Sequence, residues 1–151
     1  MNKSEYYKKH LNMGAHPEGG YFTQTYLDDG NQYSSIIFLL ENGDVSNFHQ
    51  LKEDELWYYH DGNSLNIYEI DIDGKLRVIK LGKNIENGEC LQYLVKKGSI
   101  FGAAMENEGF SLVGCMVSPA FSYEHFKLFS RKELLDKFPQ YQKEINLLTR
   151  E

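Results

Sequence analysis

The chain has 151 residues, a length that fits one compact domain able to bury a core without disulfides or a structural metal. Its formal net charge of −6 argues against a nucleic-acid partner, because a phosphate backbone needs a basic protein face. Aromatic residues make up 14% of the chain, and they favour sheet because aromatic side chains pack well on pleated surfaces.

Two further features concern the compartment. Cys90 and Cys115 show neither CxxC nor metal-finger spacing, so we expect two reduced, partly buried thiols, which suits the cytoplasm. The start of the chain lacks the apolar region of a signal peptide, and no apolar run approaches the roughly 18 residues of a transmembrane helix. We therefore expect a cytoplasmic protein with no membrane partner.

The predicted elements begin with a helix over residues 5–11, capped by Ser4. Residues 16–20, HPEGG, predict a turn, because proline restricts φ and glycine permits positive φ. Strand-like runs follow, and turn signals such as Asp73-Gly74 separate them. The expected strands outside the central stretch are 21–27, 33–40, 65–72, 76–81, 91–95, 100–104 and 110–117.

After Pro119 the pattern becomes helical. Ser130 and Glu133 form a capping-box pattern, and Tyr141, Ile145 and Leu148 recur at helical spacing. We expect these short helices to dock on the outside of a sheet.

The pattern as a whole predicts an all-β fold. About nine or ten short strands with close turn signals indicate an antiparallel sandwich or barrel, with helices only at the two ends. We expect residues 1–151 to form a single domain. A barrel of this size holds one small ligand in its mouth.

The central stretch, residues 48–62 (FHQLKEDELWYYHDG), concentrates the polar and aromatic groups suited to a pocket. His49 and Glu55 are expected to face one cavity. They would act there as an acid–base pair, in which the carboxylate raises the imidazole pKa, or as metal ligands. In a regular strand Glu55 and Tyr59 share one face, whereas His60 lies on the other.

The same residues also have a structural interpretation. A histidine in a strand is often a hydrogen-bonded structural residue, and this applies to both His49 and His60. Trp57 and Tyr59 are more often sheet packing than a ligand platform. A metal site needs about three protein ligands, and the central stretch offers two.

The spacing of His49, Glu55 and Gly62 resembles the first cupin motif, in which a second histidine would stand at Leu51. In the second motif the histidine position falls on Phe101. Two expected metal histidines are therefore missing, and a divalent metal is not favoured. Cupins are double-stranded β-helices, so the resemblance implies a jelly-roll barrel with short terminal helices.

Longer words in the same order resemble one subgroup, the cupin-5 or DUF985 family of RmlC-like cupins, over nearly the whole chain. The words include HPEGGYF at 16–22, SIIFLL at 35–40, DELW at 54–57 and LVGC at 112–115. The resemblance implies a ligand cavity, a homodimer and a comparison with sugar-nucleotide epimerases and isomerases. Thr23 and Gln24 replace the family's Arg-Glu, which implies changed specificity if that pair touches ligand.

The first functional hypothesis is an isomerase- or epimerase-like enzyme acting on a sugar-like or carbonyl substrate. His49 would be the base, Glu55 its orienting partner, and Tyr59 or His60 a proton donor or hydrogen-bonding group.

Two alternatives stay open. One is a non-catalytic barrel that binds a small ligand, with aromatic side chains stacking on it. The other is a metal cupin with an incomplete shell of His49, Glu55 and His60. The residues predicted to bind a ligand are Tyr21, Gln24, Trp57 and Phe101.

Overall fold

A computed structural model describes residues 1–150 and contains eleven strands in two antiparallel sheets, with three short α-helices. The first sheet has the order β1 (Gly14–Ala15), β2 (Tyr21–Leu27), β3 (Ser34–Glu41), β10 (Phe110–Ser118), β5 (Asp54–Gly62) and β8 (Gln92–Val95). The second has the order β11 (Phe126–Leu128), β4 (Val45–Leu51), β9 (Ile100–Met105), β6 (Leu65–Ile70) and β7 (Leu76–Leu81). The prediction of an all-β jelly roll is confirmed.

The two sheets enclose the main apolar core. β10 pairs with β3 on one side and β5 on the other, so strands distant in sequence lie at the centre of the first sheet. Inward-facing side chains alternate with outward-facing ones along each strand. Phe38, Trp57, Ile67, Phe101 and Val113 meet between the sheets, each at most 1% exposed.

The helices lie at the chain ends, as expected. They are α1 (Lys3–His10), α2 (Arg131–Lys137) and α3 (Gln142–Leu147). The predicted capping box of Ser130 and Glu133 is confirmed at α2. Leu134, Ile145 and Leu148 pack with Phe48 in a second apolar cluster on the outer face of the second sheet. The Phe48 side chain therefore points away from the cavity, and the next side chain, His49, points towards it.

Two local predictions need correction. Asn2, not Ser4, caps α1, because the Asn2 side chain accepts the Glu5 N–H. The strand predicted over 65–72 ends at Ile70, because the Asp71 carboxylate accepts hydrogen bonds from the backbone of the following turn. Within residues 1–150, no helix is both long and apolar enough to cross a membrane.

Candidate functional site

A cavity of about 250 Å³ lies between the sheets, and strands β2, β3, β4, β5 and β10 contribute its walls. Most of its lining is apolar, including Phe22, Ile36, Phe38, Val117, Phe121 and Phe126. The polar part includes two histidines and two glutamates: His16, Glu18, His49 and Glu55. A few polar side chains in an otherwise apolar lining are typical of sites that bind small molecules.

The HPEGG turn positions Glu18. At Gly19, φ is +117°, and an added Cβ would lie 1.9 Å from the Val45 carbonyl oxygen. Only glycine allows the turn to approach β4 this closely. The backbone N–H and the side-chain amide of Asn47 both donate to the Glu18 carbonyl, at 2.8 and 3.0 Å. These contacts hold Glu18 against β4, beside His49.

Glu18 and His49 form a buried ion pair. Glu18 Oε2 lies 2.9 Å from His49 Nε2, and the two residues are 6% and 2% exposed. His49 Nδ1 lies 2.8 Å from the Asn47 carbonyl oxygen. With Glu18 ionised, both ring nitrogens face acceptors and each carries a hydrogen, so the ring is an imidazolium.

The pKa shifts of the pair agree with this geometry. Burial alone would lower the pKa of His49, but the charge and hydrogen bond of Glu18 raise it above the ordinary value. Burial alone would raise the pKa of Glu18, but the charge and hydrogen bond of His49 lower it. Glu18 is therefore a carboxylate at neutral pH, and its counter-ion is already in place.

His16 is in the other protonation state. Its Nδ1 accepts the Glu18 backbone N–H at 3.2 Å, so that nitrogen carries no hydrogen. Burial lowers the pKa of His16, and the nearby Glu18 charge only partly offsets this. His16 thus adds a neutral imidazole to the cavity wall.

Glu55 differs from Glu18. Its exposed part faces the cavity, and burial raises its pKa to about 8. The positive charge of His49 opposes this rise and the negative charge of Glu18 adds to it. The Trp57 indole N–H has no hydrogen-bond partner among residues 1–150, but its approach to the Glu55 carboxyl group weakly opposes the rise in pKa. At neutral pH Glu55 is a protonated carboxylic acid.

The site therefore holds two carboxyl groups in opposite protonation states on one cavity. Glu18 is an ionised acceptor and Glu55 is a neutral donor. Environments that separate the pKa values of two such groups assign a base and an acid. The arrangement is suited to moving a proton between two atoms of a bound molecule.

The segment after β10 closes one side of the cavity. Phe121, Tyr123 and Phe126 line it. His125 Nδ1, on the same segment, lies 2.6 Å from an oxygen of the buried Glu53 carboxylate in the β4–β5 turn. This contact ties the segment to the barrel.

The structure brings three predicted site residues to the cavity. His49 and Glu55 face it from β4 and β5, and Gln24 lines it from β2. The expected pairing of His49 with Glu55 is wrong in one respect. The His49 ring nitrogens contact Glu18 and Asn47, so Glu18 and not Glu55 is the orienting partner of His49.

Three other predicted residues lie outside the cavity lining. The Tyr59 hydroxyl donates to the Gly62 carbonyl at 2.6 Å, near the end of its own strand. His60 is exposed and packs over Gly114 on the outer face of β10. The Lys8 ammonium nitrogen lies over the Tyr21 ring, 4.5 Å from the ring centroid. The alternation of strand side chains and the position along the barrel explain all three placements.

Trp57 and Phe101 also do not line the cavity. Each is 1% exposed, and the two rings meet edge to face at 6.3 Å. The Phe101 ring lies 4.2 Å from the His49 ring, so it supports the imidazole from behind. These aromatic residues are core packing that holds the site in place.

The sequence patterns do not assign Glu18 and His16 to the site, because HPEGG predicts a turn and contributes to the family resemblance without indicating a functional side chain. No local pattern indicates that the Glu18 side chain points inwards, because the contacts that place it, Gly19 against Val45 and Asn47 with the Glu18 carbonyl, join segments distant in the chain.

The cupin resemblance raises the question of whether these side chains fit a divalent metal. Among residues 1–150, no three His, Cys, Asp or Glu side chains converge in a metal-binding arrangement. His49 uses both ring nitrogens on protein acceptors, and His60 lies outside. Leu51 is on the cavity wall and Phe101 is buried behind it. These residues do not fit a metal, since such a site needs about three ligands.

Comparison with known proteins gives one family and several structures. The model of the cupin-5 family, described as cupin superfamily (DUF985), matches residues 5–129. The crystal structure of protein SO0799 from Shewanella oneidensis has 45% identity, covers 99% of both chains and has a TM-score of 0.94. A hypothetical protein from Leishmania major has 32% identity, covers 99% of this chain and 100% of its own, and has a TM-score of 0.91.

Oxalate decarboxylase from Bacillus subtilis is a more distant match. It has 17% identity and a TM-score of 0.60, and the match covers 89% of this chain and 36% of that enzyme. Such a likeness shows the fold alone. No curated protein matches the chain.

Proposed function

The chain belongs to the DUF985 family of the cupin superfamily, and we propose that its cavity binds a small molecule and shifts a proton within it, as an isomerase does. One observation carries the proposal. Two carboxyl groups, Glu18 and Glu55, share a small apolar-walled cavity in opposite protonation states.

The reaction is a proton shift on a carbonyl or sugar-like substrate. Glu55 donates its proton to the carbonyl oxygen while the Glu18 carboxylate takes a proton from the adjacent carbon, giving an enol. Glu18 then gives its proton to the former carbonyl carbon while Glu55 takes the proton of the hydroxyl group on the adjacent carbon, which moves the carbonyl by one position and restores both groups. No proton is gained or lost overall.

His49 is a positioning residue in this scheme. Both of its ring nitrogens are used on protein atoms, so it holds Glu18 ionised and correctly oriented without touching the substrate. The imidazolium also keeps the pKa of Glu18 low, which makes Glu18 a weak base. A general base works best with a pKa near the operating pH, so proton removal by Glu18 depends on Glu55 activating the adjacent carbon through the carbonyl group.

The apolar wall supports this chemistry. Side chains such as Phe22, Phe38 and Phe126 exclude water, and electrostatic interactions are stronger in the low dielectric that results. Protonation of the carbonyl oxygen by Glu55 therefore lowers the barrier to losing the adjacent proton more than it would in bulk water.

The test starts from a thermal-shift screen of small carbonyl compounds and free sugars. Each hit is incubated with protein in D₂O, and NMR records exchange of the hydrogen next to the carbonyl. We expect the wild-type protein to catalyse exchange. Glu18→Gln is expected to lower the exchange rate on the order of a hundredfold or more, the range of general acid–base catalysis, with binding largely retained.

Glu86→Gln is a matched control. Glu86 is exposed on the turn of 85–87 and is not part of the cavity lining, and the substitution makes the same chemical change. It should leave exchange unchanged. Hits that bind the cavity but show no exchange above the control would refute the enzyme and favour a barrel that only binds its ligand.

A further inference from the structure

The charge and size of the cavity narrow the class of ligand, and we infer that the site takes an uncharged carbonyl compound of about ten non-hydrogen atoms and rejects its carboxylate and ammonium analogues. The inference rests on the proposed function for the reaction, but it makes a claim about binding that can be tested by itself.

Size gives the first limit. The cavity measures about 250 Å³. A dry protein cavity of about 150 Å³ holds one benzene, so this one holds a ligand on the order of ten non-hydrogen atoms. A nucleotide-linked sugar is several times larger. The ligand is therefore a free small molecule, or the small reacting end of one.

The lining gives the second limit. No lysine or arginine among residues 1–150 contributes to the cavity wall. Its one cationic side chain, His49, contacts the Glu18 carboxylate at 2.9 Å and is already neutralised. An anionic ligand would find no unpaired positive charge and would lie beside the negative charge of Glu18. Burying a charge without a partner is costly.

A cationic ligand meets the reverse problem. Glu18 is neutralised by His49, and the other carboxyl group, Glu55, is protonated at neutral pH. An ammonium group would bind well only after Glu55 loses its proton, and that step costs part of the binding free energy. Neutral His16 offers no charge to either class.

The same geometry orients an uncharged ligand. Glu55 supplies a hydrogen-bond donor for a carbonyl oxygen, and Glu18 supplies an acceptor for a hydroxyl or an activated C–H. The phenyl rings of Phe22, Phe121 and Phe126 offer an apolar surface for the rest of the molecule. A compact aldehyde, ketone or amide with one apolar flank satisfies each of these groups.

The experiment compares three small probes of matched shape: benzamide, benzoate and benzylammonium. Ligand-observed NMR measures their binding near pH 7, and a fragment set of neutral, anionic and cationic compounds of the same size extends the comparison. We expect benzamide, and uncharged fragments generally, to bind on the order of tenfold tighter than their charged counterparts. Phe22→Trp, which fills the cavity, should abolish this binding while leaving the chain folded.

Three results would each overturn the inference: tighter or equal binding of benzoate or benzylammonium, fragment hits spread evenly over the charge classes, or no cavity binding by any uncharged fragment. The proposed reaction fails separately. Uncharged ligands that bind without proton exchange refute the reaction and leave the ligand class standing, whereas exchange on charged ligands refutes the ligand class alone.

Discussion

The protonated state of Glu55 makes a quantitative prediction for the variant Glu55→Gln. In the folded chain the pKa of Glu55 rises from the ordinary 4.5 to about 8, because the carboxyl group is buried. Between pH 4.5 and about pH 8, the folded state therefore keeps a proton on Glu55 that the unfolded state has already released. As pH rises through this window, the free energy of unfolding of the wild-type protein falls.

The expected size follows from the two pKa values. Each factor of ten in proton affinity corresponds to about 1.4 kcal/mol. Between pH 5 and pH 7 the wild-type protein should therefore lose about 2.5 kcal/mol of stability through Glu55, and the total loss approaches about 5 kcal/mol above pH 8. Glutamine does not titrate, so the Glu55→Gln variant does not lose this stability. Its free energy of unfolding therefore increases relative to that of the wild type as pH rises.

Urea unfolding followed by fluorescence provides the assay. Trp57, the one tryptophan of the chain, is 1% exposed and reports loss of the core. The quantity of interest is the wild-type minus variant difference at pH 5, 6 and 7, since the titration of groups that do not interact with Glu55 cancels in it. The mutual ion pair lowers the pKa of Glu18 and raises that of His49, which favours the charged forms of both.

Glu86→Gln serves as the control for the glutamate-to-glutamine change itself, since Glu86 is exposed and is not part of the cavity lining. A difference between wild type and Glu55→Gln that stays constant from pH 5 to pH 7 would show that Glu55 titrates normally. The assignment of Glu55 as the neutral acid would then be wrong.

Three further predictions concern the ion pair, the turn and the outer face. His49→Gln should destabilise the protein by about 3 to 5 kcal/mol at neutral pH, because Glu18 is left buried without a counter-charge, and urea unfolding measures this. Gly19→Ala should cost about 3 kcal/mol or more through its positive φ and its clash with β4, whereas Gly43→Ala, with positive φ but open space around it, should cost less by the same assay. His60→Ala should leave ligand binding and proton exchange unchanged, since His60 lies outside the barrel, and a loss of either would return it to the site.

The site differs from a metal cupin in the source of its electrostatics. Leu51 and Phe101 stand where the first and second cupin motifs carry further histidines, and both are apolar core or wall residues. A buried imidazolium, a carboxylate and a carboxylic acid replace the metal as the polar groups of the cavity. Their charges depend on burial and on one another, so the chemistry of the site depends on how tightly the barrel is packed.

Local patterns in the sequence predicted most of the fold. Strand-forming residues bounded by turn signals located the strands 21–27 and 76–81 at the bounds that the structure shows, and the capping box at Ser130 located the start of α2. These features depend on residues close together in the chain, so a short window contains the physical information. The alternation of side chains also placed His60 on the face of β5 opposite to Glu55.

Only the tertiary structure decided the composition of the site. Glu18 reaches His49 because Gly19 lets the turn pack against β4 and Asn47 holds the turn there, contacts that no local pattern specifies. The opposite protonation states of Glu18 and Glu55 likewise depend on burial and on charges brought in by other strands. Sequence by itself determined which residues alternate on each strand, whereas the packing of the two sheets determined which of them share a cavity and which of them carry a proton.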